Sequence, residues 1–257
     1  MAENKVPNTP AADKKNPNRT GKVCEFLTYS GREAFKRLRT NVLISLGDKT
    51  DKRGQIIGIT SAQPSEGKST VSVNLAYTLA ELGNTVLLID CDMRRPAIHD
   101  IVSVKLTPGL ADVLDGGIAL NDSVSRYTSS ADKTFFDLIP GGTIPEDPVE
   151  KLNSGRFQKL LDAAANAFDY VVLDLPPVNA VVDAVNVSRY VDGMLVVLRE
   201  GHCPRYVLDE CMEQLRYAKA NVLGFVMNGC VEGASKHYQY GSRYGYGYGY
   251  RYENKKQ

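Results

Sequence analysis

One lysine and three carboxylates, each set just behind a run of apolar residues, are the part of this sequence equipped for chemistry. The lysine lies in SAQPSEGKST. Ala62, Gln63, Pro64, Ser65, Glu66, Gly67, Lys68 and Ser69 fit the phosphate-loop pattern (A/G)xxxxGK(S/T). In that pattern backbone N–H groups at a helix start cradle phosphates, the lysine reaches the β/γ oxygens and the hydroxyl binds Mg2+. Gly-Lys-Ser alone would say little. Here the apolar run QIIGIT precedes it and the helical pattern STVSVNLAYTLAELG follows, which is the strand-loop-helix context the motif requires. Ala62 and Ser65 stand where glycine is commoner, so a stiffer loop is expected. The carboxylates come next. VLLIDCDMRRP carries Asp90 and Asp92 at i and i+2, on one side of a strand if the strand runs through both, with Arg94 and Arg95 behind them. YVVLDLPP ends a further run in Asp174, before two prolines that stop it. An acid at such a strand end has the form of a Walker B residue, which holds Mg2+ mostly through water. For VLLIDCDMRRP the competing reading is a solvated loop of mixed charge at a strand end. The order of these clusters beside a phosphate loop favours a nucleotide site.

Elements that could position these groups are legible from Gly54 onward. Short apolar runs (QIIGIT, TVLLID, TFFDLI, YVVLD, GMLVVL, NVLGFVMN) alternate with helical stretches such as EKLNSGRFQKLLDAAANA and RYVLDECMEQLRYAKA. Continuous apolar strands separated by helices imply a doubly wound α/β fold, a mostly parallel sheet with helices on both faces, as in P-loop NTPases. Ligands bind such sheets beyond the carboxyl ends of the strands. Gly83 and Gly193 stand where helices should end, as left-handed caps. Upstream, GREAFKRLRTNVLISL places Ala34, Leu38, Val42 and Leu43 on one helical face. The expected organisation is a flexible arm over 1–22, a nucleotide-binding domain over 23–232 and a flexible tail over 233–257.

Charge and composition exclude several functions. The 257 residues are 43% hydrophobic and sum to +1. Residues 1–23 carry five Lys/Arg against two acids and residues 235–257 carry five against one. These excesses of +3 and +4 against a total of +1 leave the chain between them at −6. An acidic body is not a nucleic-acid surface. No apolar run approaches the roughly 20 residues of a membrane span, and no apolar stretch follows the basic N-terminus as in a secretory signal. A cytoplasmic protein is expected. The five cysteines are scattered without a CxxC pair, which suggests neither a disulfide framework nor a zinc or iron–sulfur site. The tail is unusual. Tyr238, Tyr240, Tyr244, Tyr246, Tyr248, Tyr250 and Tyr252 are seven of the chain's 14 tyrosines, mostly spaced by glycine. Alternate glycines make poor packing elements.

Phosphate loop, paired aspartates, Walker B strand and tyrosine cluster together resemble the bacterial tyrosine kinases that accompany capsule and exopolysaccharide export. EAFKRLRTN, RRPAIH, TPGLADVLDGG, IPGGTIPEDPVEKLNSGRF and VVLDLPPV carry the resemblance over nearly the whole chain. It implies an ATP- and Mg2+-dependent protein-tyrosine kinase that autophosphorylates its tail, in trans between subunits of a ring. Lys68 and Ser69 would hold phosphates and Mg2+, with Thr70 near the α-phosphate. Asp90, Asp92 and Asp174 would organise the metal, Asp90 would accept the tyrosine proton, and Asn228 would contact adenine. Glu33, Lys36 and Arg39 fall on the family's Glu-x-x-Arg-x-x-Arg oligomerisation helix, where Lys36 replaces an arginine and exchanges a planar fork for a point charge. Implied partners are a membrane-anchored activator, or polysaccharide co-polymerase, on a separate chain and a tyrosine phosphatase, with recruitment to the inner face of the membrane. The alternatives are a deviant-Walker positioning ATPase, which would carry a lysine in place of Gln63, and a nucleotide-gated adaptor whose tail is never a substrate. The lack of CxxC counts against an iron–sulfur carrier.

Overall fold

The computed structural model describes residues 23–47 and 53–230. The expected arm and tail, with all seven clustered tyrosines, lie outside them. In chain order the elements are α1 (Tyr29–Leu46), β1 (Gln55–Ser61), α2 (Lys68–Ala80), β2 (Val86–Asp90), α3 (Ile98–Val102), α4 (Leu110–Asp115), α5 (Leu120–Ser123), β3 (Ser125–Thr128), β4 (Phe135–Ile139), α6 (Pro148–Asn153), α7 (Gly155–Ala167), β5 (Tyr170–Asp174), α8 (Asp183–Val187), β6 (Gly193–Arg199), α9 (Arg205–Tyr217) and β7 (Val222–Asn228).

The strands form one sheet in the order β3-β4-β2-β5-β1-β6-β7. All neighbours run parallel except β3 on β4. Side chains alternate between faces along a strand, so the central strands feed two cores. Ile56, Leu87, Ile89, Val171 and Leu173 pack with Phe157 and Leu161 of α7 on one face. Ile57, Ile59, Leu88 and Val172 pack with Val71 and Leu75 of α2 on the other. Burial on both sides explains why these strands read as unbroken apolar runs.

Gly83 closes α2 in the left-handed region at φ +85°, as its position suggested. Gly193 does not cap a helix. It is the first residue of β6, where a Cβ would stand 2.5 Å from Leu223, so glycine serves close packing there. In α1 Val42 is buried and Leu38 and Leu43 pack beneath it, but Phe35 takes the place expected for Ala34, which is exposed. Strand β3 was not legible. Its four residues alternate half-buried and exposed, too short a pattern to separate from a loop.

The chain enters through a 3-10 turn, Cys24–Phe26, with Val23 and Cys24 buried. Glu25 clamps this turn to the β3–β4 hairpin. Its carboxylate accepts the Tyr127 hydroxyl, the Ser129 hydroxyl (2.9 Å) and the Ser130 N–H (3.0 Å). All five cysteines are free thiols. Among the described residues no helix is long and apolar enough to cross a membrane.

Candidate active site

The carboxyl ends of β1, β2 and β5 bring the predicted residues together. Between β1 and α2 the chain turns tightly, with Ser65 at φ +67° and Gly67 at φ +93°. Ser65 thus occupies the left-handed conformation that glycine adopts without strain. At Gly67 space also matters. A Cβ would lie 1.9 Å from Asn228 Nδ2, which donates to the Glu66 carbonyl at 2.9 Å. Asn228, expected at adenine, therefore braces the loop from β7. The buried Glu66 carboxylate folds back to take the Gln63 N–H at 3.0 Å through Oε2, while Oε1 has no hydrogen-bond partner among the described residues. Gln63 in turn donates to the His202 carbonyl at 2.8 Å. Lys68, Ser69 and Thr70 then open α2, where the first N–H groups have no intrahelical acceptor.

Asp90 and Asp174 are directly opposite in the β2–β5 register, side by side at two strand ends. Strand β2 stops at Asp90, so Asp92 does not share its strand face as the i, i+2 spacing suggested. It sits in the following turn, where its N–H bonds Asp90 Oδ1 at 3.2 Å. Lys68 joins the acids: its Nζ lies 2.8 Å from Asp92 Oδ2, 3.6 Å from Asp174 Oδ2 and 3.4 Å from Ser69 Oγ. Ser72, which the sequence did not single out, donates to Asp174 Oδ1 at 2.9 Å. It lies one turn after Lys68, on the face of α2 turned to β5, and only that topology makes it visible.

Burial sets the electrostatics. The Asp90 carboxyl has no exposed surface; its Oδ2 accepts from the Ala97 and Ile98 N–H groups, both at 3.1 Å. Burial, with the Asp174 charge beside it, pushes its pKa up to about 8. Asp174 is raised by burial against the pull of Lys68. For Lys68 burial alone would lower the pKa, but the Asp174 and Asp92 charges overcome it and hold the ammonium above its usual value. The site holds three acids against one lysine, with Asp90 and Asp174 raised toward their neutral forms, and Asp174 Oδ2 accepts no hydrogen bond among the described residues. Carboxylate oxygens and a hydroxyl are the hard donors that Mg2+ takes, together with water and phosphate. The residues present therefore fit a Mg2+-nucleotide.

The expected interface helix divides. Glu33 and Lys36 face outward, paired at 3.2 Å and about two-fifths exposed. Arg39 turns inward, its side chain 12% exposed, and bonds the Thr78 carbonyl (2.7 Å) and Glu81 Oε2 (3.3 Å) near the end of α2. As placed, Arg39 fastens α1 to α2 within one chain.

Known proteins are similar to this chain. The AAA domain family matches residues 54–211. Tyrosine-protein kinase YwqD of Bacillus subtilis (strain 168) is 34% identical over 209 residues, 81% of this chain and 84% of YwqD. Tyrosine-protein kinase CpsD of Streptococcus agalactiae is 32% identical over 211 residues, 82% of this chain and 88% of CpsD. The solved kinase domain of the Escherichia coli tyrosine kinase ETK superposes with a TM-score of 0.73 at 35% identity, covering 81% of this chain and 79% of that one.

Proposed function

The chain belongs to the bacterial tyrosine kinases, and we propose that it transfers the γ-phosphoryl group of ATP to its own C-terminal tyrosines, in trans between copies, to regulate capsular or exopolysaccharide synthesis. The observation that carries this reading is the meeting of Lys68 with Asp92 and Asp174, within 3.6 Å, at the start of α2. Amides of the 62–67 loop and of Lys68, Ser69 and Thr70 hold the phosphates, and Lys68 draws negative charge toward the β/γ oxygens. Ser69, Asp92 and Asp174, with Asp90 behind them, are the residues that would hold a Mg2+ ion, which would supply positive charge against that developing on the phosphoryl group. Asn228 keeps the loop in shape through the Glu66 carbonyl.

Asp90 receives the tyrosine proton in this reading. A free phenol has a pKa near 10 and an ordinary carboxylate one near 4, a poor match for proton transfer. Burial that lifts Asp90 to about 8 narrows the gap but keeps the carboxyl mainly protonated near pH 7, so in this reading it accepts the proton from the ionised form that the cations of the loaded site, Lys68 and a bound Mg2+, would favour. Because its carboxyl has no exposed surface, an incoming hydroxyl reaches it only when the Pro96–Ile98 segment gives way.

The tail supplies many acceptors at high local concentration. Each phosphate adds about −1.5 to −2 charges, so a segment that begins at +4 reverses sign after about three. That reversal would separate tail from acidic body, or copy from copy in a ring. A membrane-anchored activator, which brings the kinase to the inner membrane face, and a tyrosine phosphatase complete the cycle.

Incubating the full chain and its activator with labelled Mg·ATP tests the reading. Label should appear on the clustered tyrosines and vanish when all seven become Phe, with nucleotide binding kept. A Lys68→Met chain with an intact tail should be labelled when mixed with the active seven-Phe chain, which reports transfer in trans. Free phosphate release with an unlabelled chain would overturn the kinase assignment of the tail and favour a positioning ATPase.

A further inference from the structure

We propose that Arg94 contacts the phosphoryl group in transfer and that buried Asp183 is the positioning residue that aims its guanidinium there. The inference rests on the kinase reading above and adds two residues to it.

Arg94 follows Asp92 by two residues in the turn after β2, and Asp183 is the first residue of α8, reached by the loop after β5. Since β2 and β5 are neighbours, their contact spans the same strand ends that carry Asp90 and Asp174. The loop leading to Asp183 is tied to the phosphate-loop side: Val178 N–H bonds the Ser61 carbonyl (2.9 Å) and Asn179 N–H the Ala62 carbonyl (3.3 Å). Just beyond, Ala184 and Val187 are fully buried. Asp183 therefore stands on a rigid frame shared with the phosphate loop.

The geometry of the pair is that of a holder more than a tether. Asp183 is 1% exposed, and its Oδ2 accepts Arg94 Nε at 3.1 Å. Its other oxygen, Oδ1, is buried without a hydrogen-bond partner among the described residues. Arg–carboxylate pairs are frequently closed by two parallel bonds. Here only the Nε edge is used, and no contact of either Nη group is recorded among the described residues. Four of the five N–H donors are thus left to a ligand or solvent on a side chain that remains 39% exposed. Two residues of chain span at most about 7 Å, so those donors fall within side-chain reach of the ground around Asp92 and Lys68.

The chemistry that suits them is a group of several anionic oxygens. During transfer the bond from γ-phosphorus to the bridging oxygen breaks, leaving its electron pair on ADP; a tyrosine oxygen bonds the phosphorus, and its proton goes to Asp90. Arg94 changes no bond. It offers charge-assisted donors to equatorial oxygens whose charge is greatest at the transition state.

The test uses the full chain with its activator and the variants Arg94→Ala, Arg94→Lys, Asp183→Asn and Arg94→Ala/Asp183→Asn, followed by tail phosphorylation at saturating Mg·ATP and by binding of a fluorescent ADP analogue. Arg94→Ala should lower kcat about 100-fold, the scale of losing a transition-state donor, with ADP affinity changed by less than about twofold. Asp183→Asn, which keeps shape and packing, should lower kcat about tenfold, and the double variant should be no worse than Arg94→Ala, because residues acting as a unit are not additive. Added guanidinium should restore part of the Arg94→Ala rate, which a structural defect would not allow, while Arg94→Lys recovers less than full activity for want of the fork. Wild-type kcat in Asp183→Asn, or independent losses in the double variant, would overturn the inference while leaving the kinase reading intact. An unlabelled wild-type tail would instead remove the kinase reading and this inference together.

Discussion

Gly67→Ala isolates the physical requirement on which the phosphate loop depends. At φ +93° a residue with a Cβ is strained by about 1–2 kcal/mol. The new methyl would also lie 1.9 Å from Asn228 Nδ2, so Asn228 must swing away and surrender its bond to the Glu66 carbonyl, about 1 kcal/mol more. The total of about 2–3 kcal/mol can appear in two places. A loop that keeps its shape shows it as stability, a fall in Tm of roughly 5–10 °C for a chain this size. A loop that flattens shows it as nucleotide affinity, a loss of roughly 30- to 150-fold. Thermal unfolding with and without a fluorescent ADP analogue separates the two. Asn228→Ala alone should show only the hydrogen-bond part, and the double variant should fall short of the sum, because removing Asn228 gives the methyl room. If Gly67→Ala melts and binds like the parent chain, or if the two substitutions simply add, the coupling between β7 and the phosphate loop is refuted.

Asp90 sets a pH dependence whose sign follows from its burial. Its folded pKa of about 8 lies above the unfolded value near 4, so the stability it contributes is whole below pH 4 and is lost as pH rises toward 8; in EDTA the Tm should fall over this range, Asp90→Asn should flatten the slope, and a rising Tm would contradict the assignment. Glu25→Gln should loosen the entry turn, lowering stability by about 1–2 kcal/mol and exposing Cys24 to thiol reagents, with unchanged Cys24 protection as the contrary result. Arg39→Ala should destabilise the isolated chain by about 2 kcal/mol, whereas Lys36→Ala should leave its stability within about 0.5 kcal/mol of the parent, as surface ion pairs do; equal losses in urea unfolding would show that Arg39 is not the strut.

Where local chemistry and chain direction suffice, the sequence was a good guide. Strand, loop and helix around Lys68 are contiguous, and the apolar runs before Asp90 and Asp174 define their strand ends, so the sheet class and the meeting of these residues could be read directly. What the sequence did not show depended on partners distant in the chain. Arg39 has the spacing of a surface motif, yet its acceptor is the Thr78 carbonyl, 39 residues away. Asn228 ends its strand as expected, but its bond to Glu66 spans 162 residues and depends on how β7 docks. Asp92 was placed by strand alternation on a strand that ends two residues earlier. Ser72 and Asp183 look like ordinary helix residues until the β2–β5 pairing is known.

Lys68 connects fold, metal and nucleotide through a conflict in its contacts. It is the counter-charge of Asp92 and Asp174, and in the kinase reading it is also the residue that phosphate oxygens attract. It cannot fully serve both. Drawing its ammonium toward phosphate strips a carboxylate with no exposed surface of its nearest cation, and breaking such a buried pair costs about 3–5 kcal/mol. Nucleotide binding by lysine alone would therefore be opposed by the site itself. A divalent cation arriving with the phosphates offsets that cost, since it supplies charge to Asp92 and Asp174 as Lys68 moves. Ser72 fits the same exchange, because it holds Asp174 Oδ1, while Oδ2 has no hydrogen bond among the described residues and is left to the incoming charge. The three acids are thus a reason for metal and nucleotide to bind together, and the loop lysine is the residue that makes their binding interdependent.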